Sequence, residues 1–332
     1  MLEVLVNWPA HPEEKDLIAA VWPREWAVVY SADHSKADIL AMAGRFDAIA
    51  GQLTPELLAA ATNLKFMHVL GHGIDRLGEG ALAAALAARA IPIARANPAA
   101  ITISEFVMMS LIALNRRLIS VHENLAYRGE WSEKRLADRM KGGHGGEIYG
   151  RTLCVAGLGE IGRAIAARAK AFGMVVGGLT RNPGAYAPDA LGIDFLGSLA
   201  TPEECLSRSD HLVIALPLTP DTENFLSVER LAAMPRGSYL VNIGRAAMVD
   251  QDAMVTALET GDLAGAAIDV WPDESARTYP HPRAIHHHNV IMTPHSCAIT
   301  RESRVRAIEA VGENMRRHQA GETLRNAAPL TL

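Results

Sequence analysis

Short apolar runs alternate with helical patterns along almost the whole chain of 332 residues. A continuous apolar run of strand length between two helices is typical of a strand in a parallel sheet that helices cover on both faces. This alternation predicts an α/β fold. The predicted strands cover residues 2–7, 27–30, 48–50, 66–70, 152–156, 175–180, 212–215, 239–242, 266–270 and 290–292.

One long interruption divides this alternation into two halves. A single helix is predicted over residues 101–127, and a glycine-rich passage, KGGHGGEIYG, follows it and ends at Gly150. Two runs of strands imply two sheets, so we predict two doubly wound parallel-sheet domains. The first domain is expected to comprise residues 1–98 and 297–332, and the second domain, inserted into it, residues 99–296.

The composition and charge exclude several classes of protein. Hydrophobic residues make up 49% and charged residues 21% of the chain, which is typical of a globular protein. A net charge of -5 without a block of Lys or Arg offers no basic surface for nucleic acid. The most apolar helix candidate, residues 101–119, carries Glu105, Arg116 and Arg117, so crossing a bilayer would be costly. The N-terminal residues turn acidic before a signal-peptide core could form, and we therefore expect a cytoplasmic protein.

The cysteines and a short histidine run offer little support for a metal site. The chain has three cysteines, Cys154, Cys205 and Cys297, at no metal-ligand spacing. We interpret them as small buried apolar groups in a protein of the reducing cytosol. Residues 286–288 are all histidine, but no second ligand cluster accompanies them, so a solvated loop is expected there and no metal is predicted.

A glycine-rich loop follows the strand predicted at residues 152–156. The strand runs directly into Gly157-Leu158-Gly159-Glu160-Ile161-Gly162, and a helical pattern follows. In this context the first glycine permits a tight turn, the second lets the backbone approach a pyrophosphate, and the third lets helix and strand pack closely. The helix N-terminus, which includes Glu160 and Ile161, would offer its N–H groups to the phosphates. We therefore predict a Rossmann dinucleotide-binding domain.

The end of the next strand bears on which dinucleotide is bound. Enzymes that use NAD usually place Asp or Glu there to hold the ribose 2′-hydroxyl. This chain has Thr180 followed by Arg181, and an arginine would suit a 2′-phosphate. The prediction is a preference for NADP, and the alternative is a solvent-exposed Arg181 with loose NAD binding.

Several motifs in order resemble one family of enzymes. They are GHGIDRL at residues 71–77, GLGEIG at 157–162, ALPLTPDT at 215–222, MPRGSYLVNIGRAAMVD at 234–250, GDLAGAAIDVWPDE at 261–274 and MTPH at 292–295. Together they resemble the D-2-hydroxyacid dehydrogenases, and most of all the glyoxylate/hydroxypyruvate reductases of that family. The resemblance implies a Rossmann cofactor domain inserted into a flavodoxin-like substrate domain, and a homodimer formed through the cofactor domain.

The resemblance also implies a catalytic trio of Arg245, Glu274 and His295. Each lies just beyond the carboxyl end of a predicted parallel strand, where ligands of open α/β sheets bind. The residue types suit reduction of a 2-keto acid. Histidine can supply a proton to the carbonyl oxygen, a paired carboxylate fixes the ring and favours its charged form, and arginine binds the substrate carboxylate.

Further site residues are implied by the same motifs. The loop that contains Leu216 and Pro217 resembles the family's loop beside the adenine, and Asp269 matches an aspartate beside the nicotinamide. Further expected cofactor contacts are Thr222 and Ile243. The expected substrate contacts are His72, Gly73, Arg245 and His295. Trp131 matches a family aromatic residue that lies either in the core or in a pocket of a partner subunit.

The expected reaction is reduction of a small 2-keto acid, such as glyoxylate or hydroxypyruvate, to the D-2-hydroxy acid by NAD(P)H. Residues 50–56, AGQLTPE, contain no Lys or Arg, so a phosphorylated substrate is disfavoured. Two alternatives stay open. A formate dehydrogenase pairs its histidine with glutamine, and Glu274 argues against it. A nucleotide-sensing binding protein on the same fold could retain all three catalytic residues.

Overall fold

The computed structural model describes residues 1–71, 73, 77, 80–96, 99–129, 145–272, 282–285, 287 and 289–328. The chain divides into two units, the first made of Met1–Ala99 and Ile299–Leu332 and the second of Ala100–Ala298. Each unit contains one sheet with helices, so the predicted α/β class with two doubly wound parallel sheets is confirmed.

The first unit is built on a sheet with the order β13-β5-β4-β3-β1-β2. Five of these strands are parallel, and β13 is antiparallel to β5. The parallel part has the flavodoxin-like order. Its strands are β1 (Leu2–Asn7), β2 (Trp26–Tyr30), β3 (Ala48–Gly51), β4 (Phe66–Val69), β5 (Ile93–Arg95) and β13 (Ala327–Ala328). Its helices are α1 (Pro12–Val21), α2 (Lys36–Met42), α3 (Pro55–Ala60), α4 (Gly80–Ala88) and α12 (Arg301–Gln319).

Both faces of this first sheet are buried. Along β1, Leu5 packs into a core with Phe46, while Val4 and Val6 pack into a second core with Ile308 of α12. This burial on alternate faces explains why the strands read as continuous apolar runs, since a strand covered on one face only would alternate with polar residues.

The second unit contains a seven-stranded parallel sheet with the order β12-β11-β10-β9-β6-β7-β8. The strand order reverses between β6 and β9, as it does in a Rossmann fold. The strands are β6 (Thr152–Ala156), β7 (Val175–Thr180), β8 (Phe195–Ser198), β9 (His211–Ile214), β10 (Ser238–Asn242), β11 (Leu263–Ile268) and β12 (Val290–Met292). The helices are α5 (Ala99–Asn115), α6 (Leu118–Arg128), α7 (Glu160–Ala171), α8 (Glu203–Ser207), α9 (Val228–Ala232), α10 (Gln251–Thr260) and α11 (Pro282–Ile285).

The single helix predicted over residues 101–127 is wrong. α5 and α6 meet at an angle of 64°, and Arg117 between them has a left-handed φ of 50°. Contacts distant in sequence fix the break. The Asn115 amide bonds the ring Nε2 of His211 at 2.8 Å, and the Asn115 carbonyl accepts a hydrogen bond from the Gly146 N–H at 2.8 Å. No local signal in the sequence indicates these partners.

Neither a single membrane-spanning helix nor a metal-binding cluster is found among the described residues. No single helix among them is long and apolar enough to cross a membrane, and α5 with α6 meets the length and composition test only as a bent pair. No group of three or more His, Cys, Asp or Glu side chains in the described ranges is arranged to hold a metal ion.

Candidate active site

One row of residues crosses the second sheet near the carboxyl ends of its strands. The register of the parallel pairs aligns Leu179, Ala156, Ile214, Asn242, Ile268 and Met292 in that order. Thr180 follows Leu179 as the last residue of β7, and the loops after the other strands carry Gly157, Leu216, Arg245, Asp269 and His295. Neighbouring strands lie about 4.8 Å apart, so the ends of β10 and β12 are roughly 10 Å apart. Long side chains on the two loops can therefore face one ligand.

Two glycines of the loop after β6 are required by the protein itself. Gly157 has a φ of 99°, and a Cβ there would lie 2.6 Å from the carbonyl oxygen of Ala215. A Cβ on Gly162 would fall on the carbonyl oxygen of Gly157. These contacts fix the helix α7 close to β6.

The third glycine of this loop faces open space. No atom lies within 4 Å of the position that a Cβ on Gly159 would occupy. Gly159 precedes α7, whose first residues are Glu160 and Ile161, and the first N–H groups of a helix have no partner within the helix. An uncovered helix N-terminus beside a residue without a side chain fits a phosphate group.

The neighbouring loops fit a dinucleotide in different ways. Arg181 is exposed and makes no ion pair with the residues that the structure describes, so its charge remains available at the end of β7. Leu216 is buried against Gly157. The Thr222 hydroxyl donates to the carbonyl of Pro217 at 2.7 Å, which closes the loop after β9 on itself.

Arg245 is held in place by the last residue of β10. The Asn242 side chain is fully buried; its Oδ1 accepts from the Gly244 N–H at 3.0 Å, and its Nδ2 donates to the Arg245 carbonyl at 3.1 Å. Arg245 is itself half-buried, and its Nη1 donates to the Gly244 carbonyl at 2.7 Å. Ile243, between them, is buried. The turn that presents the guanidinium is therefore fixed from its interior.

Asp269 holds the loop that carries His295. Its carboxylate is fully buried and accepts hydrogen bonds from the Thr293 hydroxyl, from the Ser296 N–H at 2.9 Å and from the Cys297 N–H at 3.1 Å. The Asp269 carbonyl accepts from the His295 N–H at 2.9 Å. His295 has a left-handed φ of 53°, which is uncommon for a residue other than glycine. These bonds fix that backbone while the His295 side chain stays exposed.

Cys297 is buried, and its surroundings favour the neutral thiol. Burial raises the pKa of the Cys297 thiol well above its usual range, and the Asp269 carboxylate acts in the same direction. The charge of Arg245 acts in the opposite direction on this thiol, and its effect is smaller. A thiol that stays protonated does not attack a substrate.

Not every residue singled out by the sequence lies within the described ranges. Glu274, His72 and Trp131 lie outside the described residues, as do His286 and His288. Gly73 is exposed in the first unit, in the segment after β4. His287 uses both ring nitrogens: Nε2 donates to the Leu258 carbonyl at 3.2 Å, and Nδ1 accepts from the Asn289 N–H at 3.2 Å. His287 is thus a structural residue.

The family of the chain follows from comparison with known proteins. Residues 108–297 match the family described as "D-isomer specific 2-hydroxyacid dehydrogenase, NAD binding domain". This segment covers more than half of the chain and contains the glycine loop, Arg245 and His295. The chain belongs to the D-isomer specific 2-hydroxyacid dehydrogenase family.

Relatives of this 2-hydroxyacid dehydrogenase family differ in their named substrates. The chain is 28% identical over 331 residues to a D-3-phosphoglycerate dehydrogenase of Methanocaldococcus jannaschii, a match that covers 98% of this chain and 59% of the relative. It is 34% identical over 219 residues to a glyoxylate reductase of Thermococcus kodakarensis, covering 66% and 63% of the two chains. The matches thus span about three-fifths of the length of these curated relatives.

A solved structure of the same family matches over nearly the full length. It is a D-isomer specific 2-hydroxyacid dehydrogenase from Xanthobacter autotrophicus Py2 in complex with NADPH and MES, with a TM-score of 0.79 and 25% identity. The match covers 99% of this chain and 98% of that one.

The supporting residues of the site were not predicted from the sequence. Asn242 stands within the motif that carries Arg245, two residues before Gly244, and asparagine often bonds the backbone two residues further on. The two-residue spacing from Asn242 to Gly244 was the sequence signal that could have identified Asn242 as a supporting residue. Trp271, whose Nε1 donates to the Thr293 carbonyl at 2.9 Å, supports the His295 loop through a contact that spacing does not indicate.

The three glycines give a testable contrast between folding and binding. Gly159→Ala places a methyl group in open space and removes only a helix N-cap residue, so the protein should lose at most about 1 kcal/mol of stability while cofactor affinity falls. In Gly162→Ala the new methyl group would overlap the Gly157 carbonyl oxygen and force the backbone apart. This variant should therefore lose about 1–3 kcal/mol of stability or more. Thermal unfolding and fluorescence titration with NADPH measure both effects. Unchanged cofactor affinity in Gly159→Ala, or wild-type stability in Gly162→Ala, would contradict this account.

Proposed function

We propose that the protein is an NAD(P)-dependent dehydrogenase that reduces a small, unphosphorylated 2-keto acid to the D-2-hydroxy acid. The observation that carries this proposal is the placement of Arg245 and His295. Both lie on loops fixed by buried polar side chains, at the same edge of the sheet as the glycine loop after β6. A nucleotide-sensing protein on the same fold could retain these residues, and turnover of a 2-keto acid separates the two functions.

The side chains have distinct roles in this proposal. The dihydronicotinamide of the bound cofactor supplies the hydride. His295 gives its proton to the carbonyl oxygen of the 2-keto acid, and the Arg245 guanidinium pairs with the substrate carboxylate. Glu274 is assigned to pair with the His295 ring, and the backbone of His72 and Gly73 to bind the carboxylate, on the resemblance of their motifs. Asp269 fixes the His295 loop, and on the resemblance of its motif it is assigned a place beside the nicotinamide.

NADP is the proposed cofactor in preference to NAD. Thr180 ends β7 and offers no carboxylate to a ribose 2′-hydroxyl, and the exposed Arg181 that follows has no acidic partner among the described residues. A guanidinium binds a phosphate through two parallel hydrogen bonds. The arrangement supports recognition of a 2′-phosphate by Arg181, with Leu216, Pro217, Thr222 and Ile243 shaping the rest of the cofactor site.

The proposed substrate is unphosphorylated because the loop after β3 carries no cation. Asn7 Nδ2 donates to the Gln52 carbonyl at 2.7 Å, and a Cβ on Gly51 would lie 2.7 Å from the Asn7 carbonyl oxygen. The loop is therefore held against β1 with no room for a larger side chain at Gly51. Residues 50–56 provide neither Lys nor Arg to bind a phosphate.

A panel of substrates and cofactors tests the function. Glyoxylate and hydroxypyruvate should be reduced with NADPH at a higher kcat/KM than with NADH, and either acid should exceed 3-phosphohydroxypyruvate. The initial rate of NADPH or NADH oxidation measures each combination. Absence of turnover with every 2-keto acid, together with tight NADPH binding, would favour a nucleotide-sensing protein. A preference for NADH would contradict the role of Arg181, and a preference for the phosphorylated acid would contradict the proposed substrate class.

The pH dependence of reduction tests the proton donor. Reduction needs His295 protonated, so kcat in the reductive direction should fall as the pH rises, and oxidation should show the opposite limb. Glu274→Gln removes the charge that favours the protonated ring, so the reductive limb should move to lower pH. His295→Ala should lose on the order of 10²–10⁴ in kcat.

The measurement is kcat against pH in the wild type and in both variants, under conditions in which chemistry limits the rate. An unshifted limb in Glu274→Gln removes Glu274 from its assigned role. If His295→Ala turns over substrate nearly as fast as the wild type, His295 is not the proton donor and the proposed mechanism is wrong.

We also propose a homodimer that forms through α5 and α6. Three large apolar side chains, Ile101, Met109 and Ile112, lie exposed along α5, with exposed fractions of 44%, 50% and 36%. Met109→Arg should place charge in this surface and shift the protein to the monomer, as measured by light scattering. Tyr186→Arg changes an exposed side chain between β7 and β8 and should leave the mass unchanged. A monomeric wild type would refute the proposal.

A further inference from the structure

Arg163 directly follows Gly162, the last residue of the glycine motif, and is not among the site residues described above. It is four residues after Gly159, so the two share a face of α7. Side chains on a helix point back toward its N-terminus, which directs Arg163 toward the loop. The side chain is exposed.

A hydrogen bond anchors this arginine to the loop. The Arg163 Nε donates to the carbonyl of Leu158, the residue between Gly157 and Gly159, at 3.0 Å. Leu158 is itself fixed, because a Cβ on Gly178 of β7 would lie 2.6 Å from the Leu158 Cδ1. The Arg163 guanidinium is therefore held at the glycine loop by a residue that packs directly on β7.

The two terminal nitrogens of Arg163 are available for a ligand. Within the described ranges no carboxylate forms an ion pair with Arg163, and its hydrogen bond to Leu158 uses only Nε. The terminal N–H groups of an arginine form the planar fork that matches a phosphate. Arg168, on the same helix, differs: its Nη1 donates to the Ala164 carbonyl at 3.3 Å, one turn back along the helix axis.

A positive charge near the N-terminus of α7 would offset the negative charge of Glu160 there. Glu160, the first residue of α7, is exposed and carries a negative charge beside the open helix N-terminus. That charge stabilises the helix but repels a phosphate. Residues three apart on a helix are neighbours, so Arg163 is placed to offset Glu160 at the phosphates.

We propose that Arg163 binds the pyrophosphate of the dinucleotide through its terminal guanidinium nitrogens. The inference rests on the proposed function, because it requires a dinucleotide at the glycine loop. NADH and NADPH share the pyrophosphate, so Arg163 acts on both cofactors equally. Arg181 acts on the 2′-phosphate and therefore on NADPH alone.

Dissociation constants for ADP-ribose, NADH and NADPH, measured by calorimetry, test this division. Arg163→Gln keeps a side-chain N–H for the Leu158 carbonyl but loses the charge, so Kd should rise about tenfold for all three ligands. Arg163→Lys keeps the charge and should recover part of that loss. Arg181→Ala should weaken NADPH alone. Arg168→Gln removes the same charge from the same helix and should leave all three constants unchanged.

Adenosine, which has no phosphate, serves as the control ligand. Its weak binding should not change in Arg163→Gln. If Arg163→Gln alters Kd no more than Arg168→Gln does, or weakens adenosine as much as ADP-ribose, the inference is wrong while the proposed function stands. If the wild type binds neither NADH nor NADPH, the proposed function fails and the inference fails with it.

Discussion

The parallel register of β6, β7, β9, β10, β11 and β12 is the constraint on which the candidate site depends. It aligns the last residues of these strands in one row, from Leu179 to Met292. Loops that are up to about 140 residues apart in sequence therefore leave the sheet at one edge. The glycine loop lies where the strand order reverses, and the loops of Arg245 and His295 follow two strands on the same side of that point. The chemistry assigned to the protein needs a cofactor and a proton donor side by side, and the register supplies that adjacency.

Buried polar side chains convert this approximate adjacency into fixed geometry. Asn242 and Asp269 are both fully buried, and a buried amide or carboxylate without partners would cost several kcal/mol. Asn242 finds its partners in the backbone of the turn that follows β10, and Asp269 finds its partners in the backbone of the loop that follows β12. The cost of leaving those bonds unmade keeps Arg245 in its turn and His295 in a left-handed conformation. The His295 side chain remains exposed while its backbone is held by other residues.

The features that local pattern encodes could be predicted from the sequence, and those set by distant contacts could not. Apolar runs identified the long strands, and the strand-loop-helix context of Gly157, Gly159 and Gly162 identified the Rossmann sheet. β5 was missed because only two apolar residues precede Arg95 in it, and β8 was missed because Gly197 and Ser198 interrupt its apolar run. The bend at Arg117 depends on Asn115 and His211, which are 96 residues apart. The support that Asp269 gives to the His295 loop, and the bond from Arg163 to Leu158, likewise required coordinates, since each depends on which atoms point at one another.

The most direct test of the central claim is a double-mutant cycle of Asp269→Asn and His295→Ala on reductive kcat. The claim is that Asp269 acts through His295 by holding its loop. Asp269→Asn alone should lower kcat on the order of 10²-fold, a large part of the loss expected from removing the acid itself. In the His295→Ala background the same change should have little further effect, because the group that it positions is gone. An equal loss in both backgrounds would show that Asp269 acts independently of His295 and would contradict the account.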